Sequence, residues 1–220
     1  MKKLLKGIAD FRNRVLPSYR ETFARLALGQ SPDCLFIACS DSRVVPNLFA
    51  SSDPGDLFVV RNVGNLIPVC QESGITPNDR SAGAAIEFAV TSLEVSNVII
   101  CGHSECGAMR ALLEGREKLS PPNLQNWLAH GEESVERWRA GKAPDKSLSA
   151  HNQLSQLNVL QQIEHVMAYP MVQERIRAGK LRVHGWWFDI AKADVYAYEE
   201  DEGCFSLLDE AHTERIITRL

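Results

Sequence analysis

The sequence predicts one α/β domain with a mostly parallel sheet of four or five strands and helices on both faces. Three short apolar runs carry this prediction, because continuous apolar runs that alternate with helical segments are typical of strands buried on both faces. The length of 220 residues fits a single domain that spans residues 1–220. The three runs are residues 35–39, 57–60 and 98–101.

The first predicted element is an amphipathic helix in the N-terminal segment. Apolar residues recur there at helical spacing, and the charges between them form no strongly cationic face, which disfavours membrane binding. We expect residues 1–28 to form a helical arm that packs on its own domain or on a partner subunit in a dimer. The apolar positions are Leu4, Leu5, Ile8, Phe11 and Val15.

The elements that follow lie between residues 29 and 200, which we assign to the α/β core. Ser81 is expected to cap a helix, a longer helix is expected over residues 149–167, and Pro170 can begin a helix that Gly179 ends. Residues 181–190 are then expected to form a strand and residues 195–198 an edge strand. Residues 74–80 and 141–146 are expected to be loops, and residues 201–220 a C-terminal segment.

Composition and charge exclude several classes of protein. The formal net charge is −4 and no long basic run occurs, which disfavours binding to nucleic acid. No stretch approaches the ~20 apolar residues of a membrane span, and the N-terminus lacks the continuous apolar stretch of a secretory signal. We therefore expect a cytoplasmic protein whose six cysteines are thiols, used as metal ligands, catalytic groups or buried side chains.

Two clusters of chemically active residues follow two of the predicted strands. The first run ends at Cys39, and the third is followed by His103 and Cys106. Ligands of parallel sheets sit at the carboxyl ends of the strands, so both clusters are expected at one edge. A His-x-x-Cys pair alone is a weak signal. With Cys39 it gives three ligands that zinc favours, and the open fourth position is typical of a catalytic zinc ion.

Asp41 and Arg43 stand directly after the first cysteine. Their spacing allows Arg43 to grip the carboxylate in two places. Asp41 could instead bind the metal and close the site. If it pairs with Arg43, it could accept a hydrogen bond from metal-bound water and orient that water for attack. A purely structural ion pair within the turn is a third interpretation of these two residues.

The two motifs together resemble the signature of the β-class carbonic anhydrases. The motifs are Cys39-Ser-Asp41-Ser-Arg43 and, about sixty residues later, Gly102-His-Ser-Glu-Cys-Gly107. Residues 54–62, 81–88 and 183–186 and Asn65 are similar to further segments of that family. The resemblance covers roughly residues 20–200, and the paired motif is far more specific than either part.

This resemblance implies a zinc enzyme that interconverts carbon dioxide and bicarbonate. Cys39, His103 and Cys106 would hold one Zn²⁺ per chain, and the Asp41–Arg43 dyad would orient a zinc-bound hydroxide. The family also builds its substrate pocket across a dimer interface, so a homodimer or homotetramer is expected. The implied pocket residues are Gln30, Phe58 and Val63, expected from the neighbouring subunit, together with Phe88 and the backbone amide of Gly107.

Two departures from the family bear on regulation. Members with an allosteric bicarbonate site have a Trp and a Gly where this chain has Phe36 and Ala38, and a Tyr where it has Phe188. The indole and phenol donors are therefore absent, and we expect no bicarbonate-type lock. Asp41 should then pair with Arg43 and leave the zinc ion open.

Three other functions compete with this interpretation. A relative that hydrolyses carbon disulfide or carbonyl sulfide would keep the same metal site. A non-catalytic zinc protein used for assembly would not need Asp41 and Arg43. A thiol redox protein would want a Cys-x-x-Cys motif, which the sequence lacks. No residue suggests itself as a proton shuttle, and His130, His151, His165 and His212 are expected to be surface or helix residues.

Overall fold

A computed structural model describes residues 1–71, 73–76 and 79–218, and these residues form one six-stranded sheet. Pro77 and Asn78 of the expected loop at 74–80, and residues 219–220 of the C-terminal segment, lie outside the described residues. The strands are β1 (Cys34–Cys39), β2 (Leu57–Asn62), β3 (Asn97–His103), β4 (Arg182–Asp189), β5 (Asp194–Glu199) and β6 (Cys204–Leu207).

The strand order is β2-β1-β3-β4-β5-β6, and the first four strands are parallel. β5 and β6 continue the sheet with antiparallel pairs, β4 with β5 and β5 with β6. The α/β class with a mostly parallel sheet is therefore confirmed. The count of four or five strands was too low, because residues 204–207 add a sixth strand in the C-terminal segment. This strand pairs with β5, so β5 is not at the edge of the sheet. The expectation of an edge strand at residues 195–198 was wrong.

The described part of the chain contains ten α-helices. The helix expected over residues 149–167 is confirmed as α8 (Ala150–Met167), and the one expected between Pro170 and Gly179 as α9 (Pro170–Arg177). The helices are α1 (Lys2–Asp10), α2 (Leu16–Leu26), α3 (Pro46–Phe49), α4 (Ser81–Glu87), α5 (Gly107–Glu114), α6 (Pro122–Leu128), α7 (Glu132–Arg139), α8 (Ala150–Met167), α9 (Pro170–Arg177) and α10 (Glu210–Ile217).

The start of α4 differs from the expectation in its cap. The helix begins at Ser81, but the Ser81 side chain makes no capping hydrogen bond. Instead the backbone N–H of Ser81 donates to a carboxylate oxygen of Asp79 at 2.8 Å. An acidic side chain before the first turn satisfies a free backbone donor and suits the positive end of the helix dipole.

The two faces of the sheet bury alternate residues of each strand. Leu35 and Ile37 of β1 belong to a core under α4, α8 and α9, whereas Phe36 and Ala38 face the opposite core. Strands buried on both faces carry continuous apolar runs, which explains why β1 was readily predicted. In the second core, Phe36 contacts the rings of Phe49 and Trp186 at centroid distances of 6.0 and 5.9 Å.

Helix α8 lies close against β3 and β4 because both strands carry a glycine beneath it. A Cβ atom at Gly102 would stand 2.7 Å from Val159 Cγ2, and one at Gly185 would stand 2.9 Å from another methyl group of the same valine. Such distances exclude a larger side chain at either position without movement of the helix. This close approach brings the polar side chains of α8 within reach of the loops at the edge of the sheet.

The N-terminal arm is helical, as predicted, but it does not pack its apolar face on its own domain. No residue of α1 or α2 is buried. Leu4, Leu5 and Ile8 are 67%, 59% and 65% exposed, so the expected alternative of packing on its own domain is not observed. Separately, no helix in the described ranges has the length and apolar character needed to cross a membrane.

Candidate metal centre

Three potential metal ligands meet at the carboxyl edge of the sheet. Cys39 ends β1 and His103 ends β3, and the parallel pairing of these strands sets their ends side by side. Cys106 follows one turn later, immediately before α5 begins at Gly107. Their ligand atoms lie within 4.8 Å of one another. The predicted convergence of the two motifs at one edge is therefore confirmed.

The protonation of His103 leaves one ring nitrogen available for a metal. Its Nδ1 lies 2.8 Å from the backbone carbonyl oxygen of Ser104, which can only accept a hydrogen bond. Nδ1 therefore carries the proton, and Nε2 presents a lone pair. Nε2 is buried and has no hydrogen-bond partner among the described residues. A carbonyl that fixes the tautomer in this way is typical of metal-binding histidines.

The charges of the two sulfur atoms also fit a divalent cation. Hydrogen bonds from Cys106 and from the N–H of Gly64 lower the pKa of Cys39 to about 4. The same contact raises the pKa of Cys106, because a second thiolate would face the first in a buried site. A bound dication would offset that repulsion and deprotonate both thiols. The donor set of two sulfurs and one imidazole nitrogen suits zinc.

A glycine on the neighbouring loop supports Cys39. Gly64 has φ +82°, and its N–H donates to the Cys39 sulfur at 3.3 Å. A Cβ atom here would come within 3.0 Å of the Ala108 side chain, so the loop is also closely packed. The backbone conformation and the close approach both favour glycine at this position.

The polar face of α8 holds this loop in place. Asn158 Nδ2 donates to the carbonyl oxygen of Gly64 at 3.0 Å, and Gln162 Oε1 accepts from the N–H of Ile67. Gln162 in turn donates to Asn158 Oδ1 at 3.1 Å. His165 lies 2.7 Å from the carbonyl oxygen of Ile67 through its Nδ1. These buried amides therefore fix the peptide that faces Cys39.

Asp41 and Arg43 form a two-point ion pair beside the metal cluster. Arg43 Nε donates to Asp41 Oδ1 at 2.9 Å, and Arg43 Nη2 donates to Asp41 Oδ2 at 2.7 Å. The backbone N–H of Arg43 also donates to Oδ1. This grip holds the pKa of the Asp41 carboxyl well below its usual range. The pairing of the two residues is thus as expected.

Arg61 stabilises the loop that carries this pair. Its guanidinium donates to the carbonyl oxygen of Cys39 at 2.9 Å and to that of Asp41 at 2.6 Å. Asn62, the next residue of β2, bonds both the N–H and the carbonyl oxygen of Leu66 through its side chain. The segment that connects the metal ligand to the ion pair is therefore held from the edge strand.

Glu105 stands between the ligands on the second motif. It has φ +58°, a left-handed conformation that is uncommon for residues other than glycine. Its carbonyl oxygen accepts from Arg43 Nη2 at 3.0 Å, and its N–H donates to Asn152 Oδ1 at 2.8 Å. The hydrogen bond from His151 lowers the pKa of its carboxyl group, and the charge of Arg110 adds to this effect.

The implied pocket residues fall into two places within the chain. Gly107 begins α5 directly after Cys106, and Val63 precedes the loop amide that contacts Cys39. Asn62 of β2 pairs with Cys39, and Phe58 lies four residues before Asn62. Phe58 is therefore about 13 Å from the level of Cys39 along the strand. Phe88 contacts the ring of Phe58 at 5.8 Å. One chain alone therefore does not bring all the aromatic residues to the metal cluster.

Gln30 lies in a separate part of the molecule. It is exposed and lines a small depression with residues of α2 and of the turn at 54–56. Its expected role as a substrate contact therefore stays a prediction. The same holds for Phe58, Val63, Phe88 and Gly107.

Sequence reasoning missed the residues that support the centre. Arg61, Glu105 and Asn158 act through backbone atoms, so no pairing of side-chain types signals them. His151 was expected to be an ordinary surface or helix residue, yet its Nε2 lies 2.9 Å from Glu105 Oε1. The sequence offered one signal, a row of polar residues at helical spacing on α8. These residues share one face of the helix and are buried: Asn158, Gln161, Gln162 and His165.

Comparisons with known sequences point to one family. A family model described as carbonic anhydrase matches residues 34–195. The carbonic anhydrase of Synechococcus elongatus is 38% identical over 196 residues, which cover 89% of this chain and 70% of that protein. The carbonic anhydrase of Pseudomonas aeruginosa is 36% identical over 202 residues, which cover 90% of this chain and 88% of that protein.

Solved structures agree with the sequence comparison. The β-carbonic anhydrase CcaA gives a TM-score of 0.85 at 38% identity, over 94% of this chain and 98% of that chain. One of two tetrameric β-carbonic anhydrases from Sordaria macrospora gives a TM-score of 0.77 at 29% identity, over 93% of this chain and 98% of that chain.

The support that α8 gives to the cluster can be tested with Asn158→Ala. The substitution leaves the buried carbonyl oxygen of Gly64 without its partner and removes one of the two acceptors of Gln162 Nε2. The Gly64 N–H is then no longer held against Cys39. We expect zinc affinity to fall roughly tenfold to a hundredfold, the usual effect of removing an outer support. Competition with a chromophoric chelator measures it.

The exposed Asn126 on α6 supplies the matched control. Asn126→Ala should leave zinc affinity unchanged. A normal zinc affinity in Asn158→Ala, together with a lower free energy of unfolding, would show that Asn158 serves only packing.

Proposed function

Because the chain belongs to the carbonic anhydrase family, and within it to the β class, we propose that it catalyses the reversible hydration of carbon dioxide to bicarbonate and a proton. One Zn²⁺ per chain is the proposed cofactor. The observation that carries the proposal is the buried cluster of Cys39, His103 and Cys106 with the Asp41–Arg43 pair beside it. Three ligands leave a tetrahedral ion one open position, which catalysis requires.

The three ligands set the electronic character of the proposed site. A bound zinc ion would act as a Lewis acid that makes water nucleophilic at accessible pH. Cys39 and Cys106 would give it more negative charge than three histidines could. We therefore expect the activity to favour neutral to alkaline conditions. The Ser104 carbonyl and the Gly64 N–H hold His103 and Cys39 for this purpose.

Asp41 has a defined role in the proposed mechanism. Its Oδ1 already accepts two hydrogen bonds from Arg43, whereas Oδ2 accepts one. A carboxylate oxygen has two lone pairs, so Oδ2 can accept one further hydrogen bond from the attacking water. This bond would aim an oxygen lone pair of the water at the carbon atom of the substrate. Arg43 would keep Asp41 ionised and correctly turned.

The proposed substrate pocket needs two chains. Carbon dioxide is linear and uncharged, so a small apolar slot suits it. Phe58, Val63 and Phe88 would supply the apolar walls, and the contact between the two rings groups Phe88 with Phe58 on the same subunit. Gln30 and the Gly107 amide would stabilise negative charge that develops on the substrate oxygens. We propose a homodimer as the smallest active unit and leave open its assembly into tetramers.

We also propose that the site lacks a bicarbonate lock. Asp41 is committed to Arg43 at two points, which keeps it off the metal. Phe36 and Phe188 are buried within the aromatic core and offer no hydrogen-bond donor for an anion there. Ala38, on the same strand as Phe36, carries a methyl group where the members with the bicarbonate site have a glycine.

Hydrolysis of carbon disulfide or carbonyl sulfide would use the same residues and is the main alternative activity.

The cytoplasm is the proposed location, supported by six cysteines that form no disulfide in the described residues. Cell fractionation would decide it, and recovery from an oxidising compartment would contradict it.

Stopped-flow hydration of carbon dioxide tests the activity directly. Wild-type protein with quantified zinc should hydrate carbon dioxide rapidly, faster at mildly alkaline than at neutral pH. Cys106→Ser should lose both zinc and activity. Asp41→Ala should keep zinc but lose roughly a hundredfold in kcat/KM, because the nucleophile is no longer oriented.

Glu202→Ala, distant from the cluster in sequence and exposed, serves as the control. Bound zinc without hydration at either pH would reject the proposed activity and favour the sulfur analogues or a structural zinc. Those analogues can be assayed on the same preparation.

The absence of a lock predicts simple kinetics in bicarbonate. Initial rates should fall hyperbolically with added bicarbonate, as for product inhibition, with a Hill coefficient of about 1. Chloride at equal ionic strength controls for salt. A sigmoidal fall at neutral pH that disappears at alkaline pH would contradict this prediction.

The arm is tested with the double variant Leu4→Gln/Ile8→Gln. Both side chains are exposed, so the monomer fold should survive. We expect sedimentation to shift towards the monomer and activity to fall with it, because the pocket loses its second chain. Lys3→Gln/Lys6→Gln, on the polar side of α1, is the control. An unchanged oligomer in the first variant would remove the arm from the interface.

A further inference from the structure

Arg43 is held by more than its carboxylate partner. Its Nη2 group donates both to Asp41 Oδ2 and to the backbone carbonyl oxygen of Glu105, at 2.7 and 3.0 Å. The second contact links the two chemical motifs of the chain across 62 positions of sequence. The direction in which Glu105 presents its carbonyl therefore sets one of the anchors of Arg43.

That carbonyl depends on an unfavourable backbone conformation. Glu105 has φ +58°, where a side chain is strained and glycine is not. Such a conformation persists only if the surroundings hold it. The Glu105 side chain makes contacts at this turn that a glycine could not make.

The side chain is anchored from two helices. Arg110 of α5 forms an ion pair with Glu105 Oε2, and His151 Nε2 of α8 lies 2.9 Å from Oε1. Asn152, the next residue of α8, receives the Glu105 backbone N–H on its Oδ1 at 2.8 Å and reaches Oε1 with its Nδ2 at 3.4 Å. The backbone N–H and the carboxylate of Glu105 are thus both held by partners on the two helices, which fixes the left-handed conformation of this residue.

We propose that Glu105 is a positioning residue for the Asp41–Arg43 pair. Its carboxylate, anchored by Arg110 and His151, holds the left-handed turn whose carbonyl oxygen orients Arg43. Glu105 touches no reacting atom in this account and acts only through Arg43. The inference rests on the proposed function for its effect on rate, but its effect on Arg43 can be measured without turnover.

Three substitutions at Glu105 and one at His151 separate the role of the turn from that of the carboxylate. Glu105→Ala removes the contacts of the carboxylate with Arg110 and His151, which we call the clamp, but keeps a side chain at a positive φ. The peptide after residue 105 should therefore rotate and release Arg43. Glu105→Gly also removes the clamp but tolerates the turn, so it should retain more of the geometry. Glu105→Gln keeps the length and an acceptor oxygen. His151→Ala weakens the clamp while leaving Glu105 itself in place.

The primary readout is hydrogen exchange of the Arg43 Nε–H, followed by nuclear magnetic resonance on the zinc-loaded protein. The exchange rate should increase most in Glu105→Ala, less in Glu105→Gly and His151→Ala, and least in Glu105→Gln. The second readout is kcat/KM per bound zinc, which should fall in the same order, by roughly tenfold in Glu105→Ala. Zinc content should stay near one per chain in all four variants.

Glu94 offers a matched control because it has φ +53° and lies at the opposite edge of the sheet, before β3. Glu94→Ala and Glu94→Gly impose the same backbone change and should alter stability alone. Arg43 exchange and kcat/KM within twofold of wild type in Glu105→Ala would overturn the proposal. So would equal losses in Glu105→Ala and Glu105→Gly, since the carboxylate would then act directly. If the wild-type protein hydrates no carbon dioxide, the proposed function fails, and Arg43 exchange still decides the positioning role.

Discussion

The parallel pairing of β1 with β3 is the constraint on which the rest of the structure depends. Both strands run in the same direction and lie side by side, so Cys39 and His103 leave the sheet at one edge. Antiparallel neighbours would have placed the two motifs at opposite edges. The turn that follows β3 then returns Cys106 to the same point as α5 begins. The metal cluster is therefore a consequence of strand direction before any local interaction is considered.

The loops at this edge are ordered by side chains that bind backbone atoms. Asn158 holds the carbonyl of Gly64, Arg61 holds those of Cys39 and Asp41, and Arg43 holds that of Glu105. Loops expose many peptide groups that the sheet does not pair, and each buried one needs a partner. Here the partners also fix the direction of the groups that face the cluster. Order and reactivity thus share the same hydrogen bonds.

The metal cluster gathers electron-rich groups that a bound cation would neutralise. Two sulfur atoms and an imidazole lone pair converge in a buried place, while Arg43 is already satisfied by Asp41 and the Glu105 carbonyl. Arg43 is therefore not free to neutralise a thiolate, and the nearby Arg61 donates to the backbone carbonyl oxygens of Cys39 and Asp41. Converging ligands without a protein counter-charge are costly in a folded chain unless an ion compensates them.

The sequence by itself predicts the α/β class, strands at residues 35–39 and 98–101, and the convergence of Cys39, His103 and Cys106. It leaves three interpretations of Asp41 and Arg43 open, among which the resemblance to the family favours their pairing. The strands follow from local apolar runs, and the convergence of the ligands follows from the general rule that the carboxyl ends of parallel strands lie at the same end of the sheet. Only the tertiary structure decided the sixth strand, the exposure of the arm, the separation of Phe58 and Phe88 from the cluster, and the support from Arg61, Glu105, His151 and Asn158. Each of these depends on contacts between residues far apart in sequence, often through backbone atoms. Backbone groups are the same at every position, so the identity of a residue cannot reveal which of them it will bind.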